Sequence, residues 1–485
     1  MPRIARAYAA PVQRRLLLAR VDDPRLLASF DQLRTSLGVE HDFPDDAKAE
    51  ARRAAESFDA PEVDETRIPF VTIDPPESRD LDQALHLERR GSGYLVRYAI
   101  ADVAALVSPG GPMDREAHDR GQTFYAADRN ATLYPPELAE NAASLLPGEA
   151  RPTVLWTITL DESGEGTDVE VRRALVRSRE KLDYAGVQRS LDEGTASESL
   201  QLLREVGRLR EQREARIGGI NLPLPEQIVE KTEDGYELRF RTPLPVEGWN
   251  AQISLLTGQA AAELMLDGRI GILRTLPRAD ERAVERLRRV ATALGVAWPK
   301  GRSFADVMRD LDGAEPRHAA FLAESTVLLR GSGYAAFDGE PPPAASIHAG
   351  VGAPYTHATA PLRRLVDRYV SEICLAASAG HEAPAWVREA LQALPETMEK
   401  SNRRAQQFEA GVLSAVEAAV LEPYLGDDFD AVVVELDEDD DRGTIQLARP
   451  AVTARCLGEL PLGERIRARL VLADVEQRQV RFERV

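Results

Sequence analysis

Three aspartates lie within nine residues of one another in the stretch TIDPPESRDLDQALHL, residues 72–87. Asp80 and Asp82 are two positions apart, so an extended backbone points both side chains to the same side. The prolines at 75 and 76 can fold Asp74 back toward them. Carboxylates that share one place repel one another unless a cation lies between them. Such oxygen ligands suit Mg²⁺, which binds one or two carboxylates with water and substrate phosphate. The alternative interpretation is a polar turn that contains three unrelated aspartates.

The composition excludes several classes of protein. With 61 basic and 80 acidic residues, the 485-residue chain has a net charge of −19, which argues against non-specific coating of nucleic acid. A local basic channel can still act independently, because charges are screened beyond about 8 Å. No apolar run approaches the roughly 20 residues of a membrane-spanning helix, and the N-terminus lacks a secretory signal, so we expect a cytoplasmic protein that does not bind membranes. Cys374 and Cys456 give neither a disulfide framework nor zinc-ligand spacing.

Changes of pattern divide the chain into three regions. Residues 1–66 show apolar positions every three or four residues and predict a small helical module. Two interpretations of this module stay open: a helix-turn-helix unit that binds RNA, or a packing cap for the next domain. The arginines that keep the first interpretation open are Arg3, Arg6, Arg14, Arg15 and Arg20.

The two later regions predict a large mixed domain and a small barrel. Residues 67–425 begin with β-rich stretches and become mostly helical after about residue 184. Residues 426–485 contain five short strands, the number expected of an OB-fold barrel, a fold that commonly binds single-stranded nucleic acid. The predicted fold class is therefore α+β and multidomain.

Six sequence blocks give a more specific prediction. They are TIDPPESRDLDQAL, YAIADVAALV, MDREAHDRGQTFYAADRNATLYPPEL, ASLLPGEARPT, SREKLDY and YTHATAPLRRLVDR. Block by block and in order, over about residues 68–420, the chain resembles the RNase II/RNase R (RNB) family of exoribonucleases. The resemblance implies a catalytic RNB domain that threads single-stranded RNA, 3′ end first, into a channel. It further implies processive hydrolysis to 5′-mononucleotides with Mg²⁺, for which Mn²⁺ can substitute.

The resemblance assigns the catalytic and metal-binding residues. Asp74, Asp80 and Asp82 match three of the family's four active-site aspartates, and Asp80 and Asp82 are taken as catalytic as well as metal-binding. Arg363, in TAPLRRLVDR, matches the arginine that contacts the reacting phosphate. A metal and a fixed guanidinium would stabilise the charge that grows on the phosphate oxygens in the transition state.

The same resemblance assigns an RNA path. Tyr125, in RGQTFYAADR, matches the aromatic residue that stacks against a base near the scissile phosphate. Tyr184, in KLDY, matches another residue of the path, and Arg364 is expected there beside Arg363. An aromatic face tolerates any base, as non-specific degradation requires. We expect a monomer that acts on the 3′ end of single-stranded RNA and on structured RNA with a 3′ overhang.

The chain also departs from the family pattern. Gln83 stands where the family has its fourth aspartate, so the predicted ligand set gains a neutral oxygen and loses one charge. Two unit charges about 4 Å apart interact by roughly 4 kcal/mol at an effective dielectric of 20, so weaker metal binding is expected. SLLTGQ, residues 254–259, replaces a glutamate pair, and Gln406 replaces a further glutamate. A helical segment of the length of residues 1–66 is not expected to form the two cold-shock barrels of bacterial relatives.

Two other functions remain as alternatives. The first is a catalytically weakened RNA-binding protein on the RNB fold, for which Gln83 is the discriminating position. The second is an unrelated Mg²⁺ phosphoesterase for small molecules, which would explain the aspartates. It would not explain a large helical domain followed by a barrel.

Overall fold

The computed structural model describes residues 17–18, 23–219, 226–232, 235–241, 243–313, 315–329, 331–340, 347–437, 442–447 and 449–485. The helices are α1 Pro24–Leu37, α2 Asp45–Glu56, α3 Pro112–Arg120, α4 Tyr184–Asp192, α5 Glu198–Ile217, α6 Pro245–Asp267, α7 Glu281–Leu294, α8 Phe304–Arg309, α9 Pro316–Ser325, α10 Leu365–Ser378, α11 Ala385–Leu391 and α12 Leu394–Leu421. The strands are β1 Leu17–Leu18, β2 Phe70–Ile73, β3 Gln83–Arg90, β4 Gly93–Ala101, β5 Ala150–Leu160, β6 Gly166–Leu182, β7 Glu226–Thr232, β8 Gly235–Arg241, β9 Ile270–Thr275, β10 Gly333–Asp338, β11 Asp428–Leu436, β12 Arg442–Leu447, β13 Thr453–Leu457, β14 Arg465–Asp474 and β15 Gln479–Arg484.

Strands β2 to β6 close into a barrel in chain order. Closure depends on β6, which has 17 residues. Its first part pairs antiparallel with β5, and its last part, from Ser178 to Leu182, pairs parallel with β2. The predicted strands are present, but their closure was not predicted, because it requires one strand long enough to serve two neighbours.

Helices α5, α6 and α10 cover this barrel. Helix α6 has buried residues on all sides because it packs against both α5 and α10. A Cβ atom at Gly207 of α5 would lie 2.4 Å from the Cβ of Trp249 in α6. Glycine at this position therefore permits the close packing of the two helices. No helix in the described part of the chain is long and apolar enough to cross a membrane.

The C-terminal strands form the predicted five-stranded barrel. Its strand order is β11-β12-β13-β15-β14, with β13 and β15 parallel. Val433, Ile445, Leu470 and Phe482 fill its interior. Helix α12, 28 residues or about 42 Å long, packs against β14 and β15 and also against α1. The α+β fold class and the C-terminal barrel are thus confirmed.

The two N-terminal helices cap other elements. Helix α1 buries Leu26, Phe30 and Leu33 in the core shared by α12 and the C-terminal barrel. Helix α2 packs against α3, where the Met113 N–H donates to the Glu50 carboxylate at 2.8 Å. Both described helices therefore pack against other parts of the chain.

The N-terminal helices are present, but the helical prediction is wrong at the two residues of β1. Leu17 and Leu18 pair parallel with Ile228 and Val229 of β7. Tertiary pairing overrides the local helical periodicity here. The five arginines that kept open the RNA-binding interpretation lie outside the described residues.

A partly buried carboxyl on α12 makes the free energy of unfolding depend on pH. Burial raises the pKa of Glu409 to about 7, so the folded state favours its neutral form. Because the folded pKa of such a group lies above its unfolded pKa, its contribution to the free energy of unfolding is fully present below the unfolded pKa. That contribution is lost as the pH rises through about 7. We expect Glu409→Gln to raise the free energy of unfolding by about 1–2 kcal/mol at pH 8.5 and to change it little at pH 5.

Urea unfolding at the two pH values measures this difference. The matched control is Glu399→Gln on the same helix, where the carboxylate is exposed and lies 3.0 Å from the Arg403 guanidinium. The control should change stability by less than about 0.5 kcal/mol at either pH. An equal gain for Glu409→Gln at both pH values would contradict burial of the charge as the cause.

Candidate active site

The loop between β2 and β3 places the three aspartates at one end of the first barrel. Asp74 follows β2, and its N–H donates to the Leu182 carbonyl of β6 at 3.0 Å. Asp82 precedes β3, and its carbonyl accepts the N–H of Ala101, the last residue of β4, at 2.9 Å. Asp80 lies in the loop between them. Hydrogen bonds to β4 and β6 thus fix both ends of the loop.

Asp82 connects this barrel to the turn that precedes α10. Its carboxylate is buried, with one oxygen accepting the Leu362 N–H at 2.7 Å. The other oxygen lies 3.2 Å from Nε of Arg363. Burial raises the pKa of Asp82 well above its ordinary value, whereas Arg363 and the Leu362 N–H oppose that rise. The carboxylate therefore orients the guanidinium that the sequence assigned to phosphate binding.

Backbone pairing places Tyr125 beside Arg363. The N–H of Thr123 donates to the Arg363 carbonyl at 3.0 Å, and the N–H of Leu365 donates to the Gly121 carbonyl at 3.0 Å. This short ladder holds the segment after α3 against the turn before α10. The Tyr125 hydroxyl lies within electrostatic reach of the Arg363 guanidinium, and burial raises the pKa of Tyr125 to about 12. Tyr125 therefore stays protonated and half-buried in this recess.

The three aspartates all act on Arg363. Burial works to lower the pKa of this guanidinium, but Tyr125, Asp82, Asp80 and Asp74 outweigh burial and raise it. The Arg363 side chain nevertheless keeps 37% of its surface exposed. The structure thus brings together four of the predicted site residues around one cation that a substrate can reach.

A divalent cation fits only part of the predicted ligand set. The described part of the chain contains no group of three or more His, Cys, Asp and Glu side chains arranged to hold a metal ion. Leu362 and Arg363 engage Asp82, and the other two aspartates of this loop are Asp74 and Asp80. Burial raises the pKa of Asp80 although Arg363 opposes it, so a further positive charge would be favourable. Two carboxylates completed by water and phosphate are a common ligand set for Mg²⁺.

Two other predicted residues make contacts within the protein. The Gln83 amide nitrogen donates to the Thr359 carbonyl, which ties Gln83 to the turn before α10. Arg364 binds Asp367 through two bonds, Nε to Oδ2 at 2.9 Å and Nη2 to Oδ1 at 2.8 Å. Asp367 therefore pairs with Arg364.

Tyr184 lies at the same end of the barrel. It begins α4, and its hydroxyl accepts from the Asn250 amide at 3.4 Å. The hydroxyl of Tyr98, on β4, lies within electrostatic reach of Tyr184, Asp74 and Arg363. It also hydrogen-bonds the Ser254 hydroxyl at 2.9 Å, so the stretch SLLTGQ borders the site.

Sequence reasoning missed two residues that support the aspartate loop. The Ser144 hydroxyl donates to the Arg79 carbonyl at 2.5 Å and accepts the Leu81 N–H at 3.0 Å. Lys181, on β6, is near enough to lower the pKa of Asp80. Lys181 lies in the block SREKLDY, three residues before Tyr184, but nothing in its spacing indicates what it contacts.

The pair Asp82–Arg363 should show strong energetic coupling. Arg363→Met would leave a buried carboxylate without its guanidinium, so it should be more destabilising than in a chain that already carries Asp82→Asn. A double-mutant cycle by urea unfolding at pH 8 should give a coupling of about 1–3 kcal/mol. The control cycle on the exposed pair Asp338–Arg388, 3.0 Å apart, should give less than about 1 kcal/mol. Additive effects at the first pair would contradict the contact.

Comparisons with known proteins identify two regions of the chain. The sequence model described as "RNB domain" matches residues 63–379. The model described as "RNase II-type exonuclease C-terminal S1 domain" matches residues 427–485. These matches coincide with the first barrel and its covering helices and with the C-terminal barrel.

One protein of similar sequence and one of similar fold agree with these family matches. Exoribonuclease 2 of Vibrio parahaemolyticus is 34% identical over 162 residues, which cover 33% of this chain and 24% of that protein. Mycoplasma genitalium RNase R in complex with ribose-methylated single-stranded RNA superposes with a TM-score of 0.85 and 18% identity, covering 96% of this chain and 79% of that one. The same RNase R in complex with double-stranded RNA gives a TM-score of 0.83, covering 96% and 84%.

The extent of these matches determines what they show. The aligned segment spans about a quarter of the curated Vibrio relative, and the solved structures are similar in fold. The RNB domain match covers well over half of the chain and includes the aspartate loop, Tyr125, Tyr184 and Arg363. The resemblance noted in the sequence is thereby confirmed, and the chain belongs to the RNB-domain family.

Proposed function

We propose that the chain is a processive hydrolase that removes 5′-mononucleotides from the 3′ end of RNA with the aid of a divalent cation. The observation that carries this proposal is the contact between Asp82 and Arg363 at 3.2 Å, with Asp74 and Asp80 in the same loop, in a chain of the RNB-domain family. The name of the Vibrio relative and the RNA bound to the fold neighbour support the same function.

Arg363 serves to bind the reacting phosphate. Asp82 lies 3.2 Å from its guanidinium, while more than a third of the Arg363 side chain remains open to a substrate. A guanidinium oriented before the substrate arrives needs little reorganisation as charge grows on the phosphate oxygens. In the reaction, water adds to phosphorus, the bond from phosphorus to the 3′ oxygen breaks, and that oxygen receives a proton.

Tyr125 and Tyr184 serve to guide the RNA. The half-buried Tyr125 ring offers a base an apolar face next to Arg363, and stacking contributes about 1–3 kcal/mol per base. Arg364, which pairs with Asp367, follows Arg363 in the chain and is proposed to line the RNA path. The C-terminal barrel, which corresponds to the proposed domain of residues 426–485, would hold RNA upstream of the site. These contacts are independent of base identity.

Asp74 and Asp80 serve as the carboxylate ligands of the cation. When bound, Mg²⁺ or Mn²⁺ would supply positive charge next to the reacting phosphate. Asp82 acts through Arg363, and Gln83 keeps the turn before α10 in place through Thr359. With these roles, two aspartates bind the cation and one orients Arg363, so the proposed site does not require a carboxylate at position 83.

A catalytically weakened RNA-binding protein is the second candidate, and Gln83 is the observation that favours it. The position lacks the negative charge that a carboxylate would provide, and its amide is engaged with Thr359. Tight retention of RNA without hydrolysis, in either Mg²⁺ or Mn²⁺, is the outcome that this candidate predicts.

A 5′-labelled single-stranded RNA tests the proposal. Purified protein with Mg²⁺ should shorten it from the 3′ end to a short core and release 5′-mononucleotides, and chelator should stop the reaction. Asp80→Asn and Arg363→Met should each lower kcat about 10²- to 10³-fold while RNA binding persists. The control Asp338→Asn, in an exposed ion pair, should retain full activity. Internal cleavage, or full activity in Asp80→Asn, would refute the proposal.

Structured RNA gives a separate prediction. We expect a stem-loop with a 3′ overhang to be degraded into the stem, consistent with the double-stranded RNA complex of the fold neighbour. Product lengths from hairpins that differ only in overhang length measure how far the protein proceeds. Stalling at a constant distance before every stem would show that duplexes are not substrates.

A further inference from the structure

The loop that carries the aspartates depends on a residue outside it. Between Asp74 and Asp80 the chain has two consecutive prolines, which have no N–H to donate. The carbonyls of Pro76 and Ser78 both accept hydrogen bonds from Nζ of Lys181, each at 2.6 Å. One ammonium group therefore donates hydrogen bonds to two carbonyls in the middle of the loop.

Lys181 is well placed to fix this loop relative to the barrel. It lies in β6 opposite Thr72 of β2, and its neighbour Leu182 accepts the Asp74 N–H at 3.0 Å. The C-terminal end of β6 thus binds the loop at two places, at Asp74 through Leu182 and at the middle of the loop through Lys181.

We propose that Lys181 is a positioning residue that sets the spacing of Asp74 and Asp80, so that both carboxylates face one divalent cation. The inference rests on the proposed function of these two aspartates as ligands. Lysine suits this task because Nζ presents three N–H donors from one atom, and two carbonyls can converge on it. Groups that orient metal ligands typically change metal affinity or activity by 10- to 100-fold when they are removed.

The alternative is that Lys181 merely stabilises β6, and Arg179 provides the matched control. Arg179 lies two positions earlier on the same strand. Its Nη2 donates to the carbonyls of Thr66 at 2.9 Å and Arg67 at 3.3 Å. It therefore makes the same kind of contact, a cation with two carbonyls, but to the segment before β2.

The experiment compares Lys181→Met, Lys181→Arg and Arg179→Met with the wild-type protein. Mn²⁺ binding without RNA is followed by electron paramagnetic resonance, and hydrogen exchange is followed in the peptide that covers residues 74–82. Lys181→Met should weaken Mn²⁺ binding about tenfold or more and accelerate exchange in that peptide. With RNA, it should lower kcat and leave KM nearly unchanged. Lys181→Arg should recover only part of the loss, because a planar guanidinium cannot gather both carbonyls in the same way.

Three results would overturn the inference. The first is unchanged Mn²⁺ affinity in Lys181→Met, and the second is unchanged exchange in residues 74–82. The third is an equal loss of affinity in Arg179→Met, which would indicate general weakening of β6. If the wild-type protein binds Mn²⁺ but does not hydrolyse RNA, the proposed function fails, while the binding and exchange results still decide the role of Lys181.

Discussion

The contact between Asp82 and the segment Leu362–Arg363 is the interaction on which the rest of the site depends. One buried carboxylate joins the end of the first barrel to the turn before α10, because it binds a backbone N–H and a guanidinium at once. Together with the hydrogen bond from the Gln83 amide to the Thr359 carbonyl, this contact joins the aspartate loop to the turn that carries Arg363. A buried charge of this kind stabilises the fold only while its partners are in position, so it also selects one arrangement of the site.

Other charged contacts keep α10 in the orientation that this contact requires. Arg368 is fully buried, and its guanidinium binds the Asp114 carboxylate of α3 and the Val107 carbonyl. Arg173 of β6 pairs with the buried Asp102 at 2.7 Å and with Glu372 of α10. These ion pairs therefore hold α10 against both the barrel and α3, the helix that precedes Tyr125. The recess around Arg363 is thereby preorganised.

The sequence predicted those parts of the site that depend on the spacing of neighbouring residues and on the order of the sequence blocks. The spacing of Asp80 and Asp82, the double proline and the ordered blocks identified residues that the structure brings together around Arg363. The C-terminal barrel was also predicted, because five short alternating strands with turns allow few other folds. The helical prediction at Leu17–Leu18 failed, since pairing with β7 is a tertiary effect.

The remaining features could not be predicted because they depend on contacts between distant segments. Closure of the first barrel requires β6 to pair with both β5 and β2. The contact between Asp82 and the segment Leu362–Arg363 joins residues 280 positions apart. The role of Lys181 depends on two loop carbonyls, which no side-chain pattern encodes.

The position of a bound cation tests the account most directly. A crystal of the protein with Mn²⁺ and a short RNA whose 3′-terminal linkage resists hydrolysis would locate the ion by its anomalous signal. The account predicts one ion in direct contact with carboxylate oxygens of Asp74 and Asp80, with the terminal phosphate between that ion and Arg363. An ion bound elsewhere, with the phosphate away from Arg363, would contradict it.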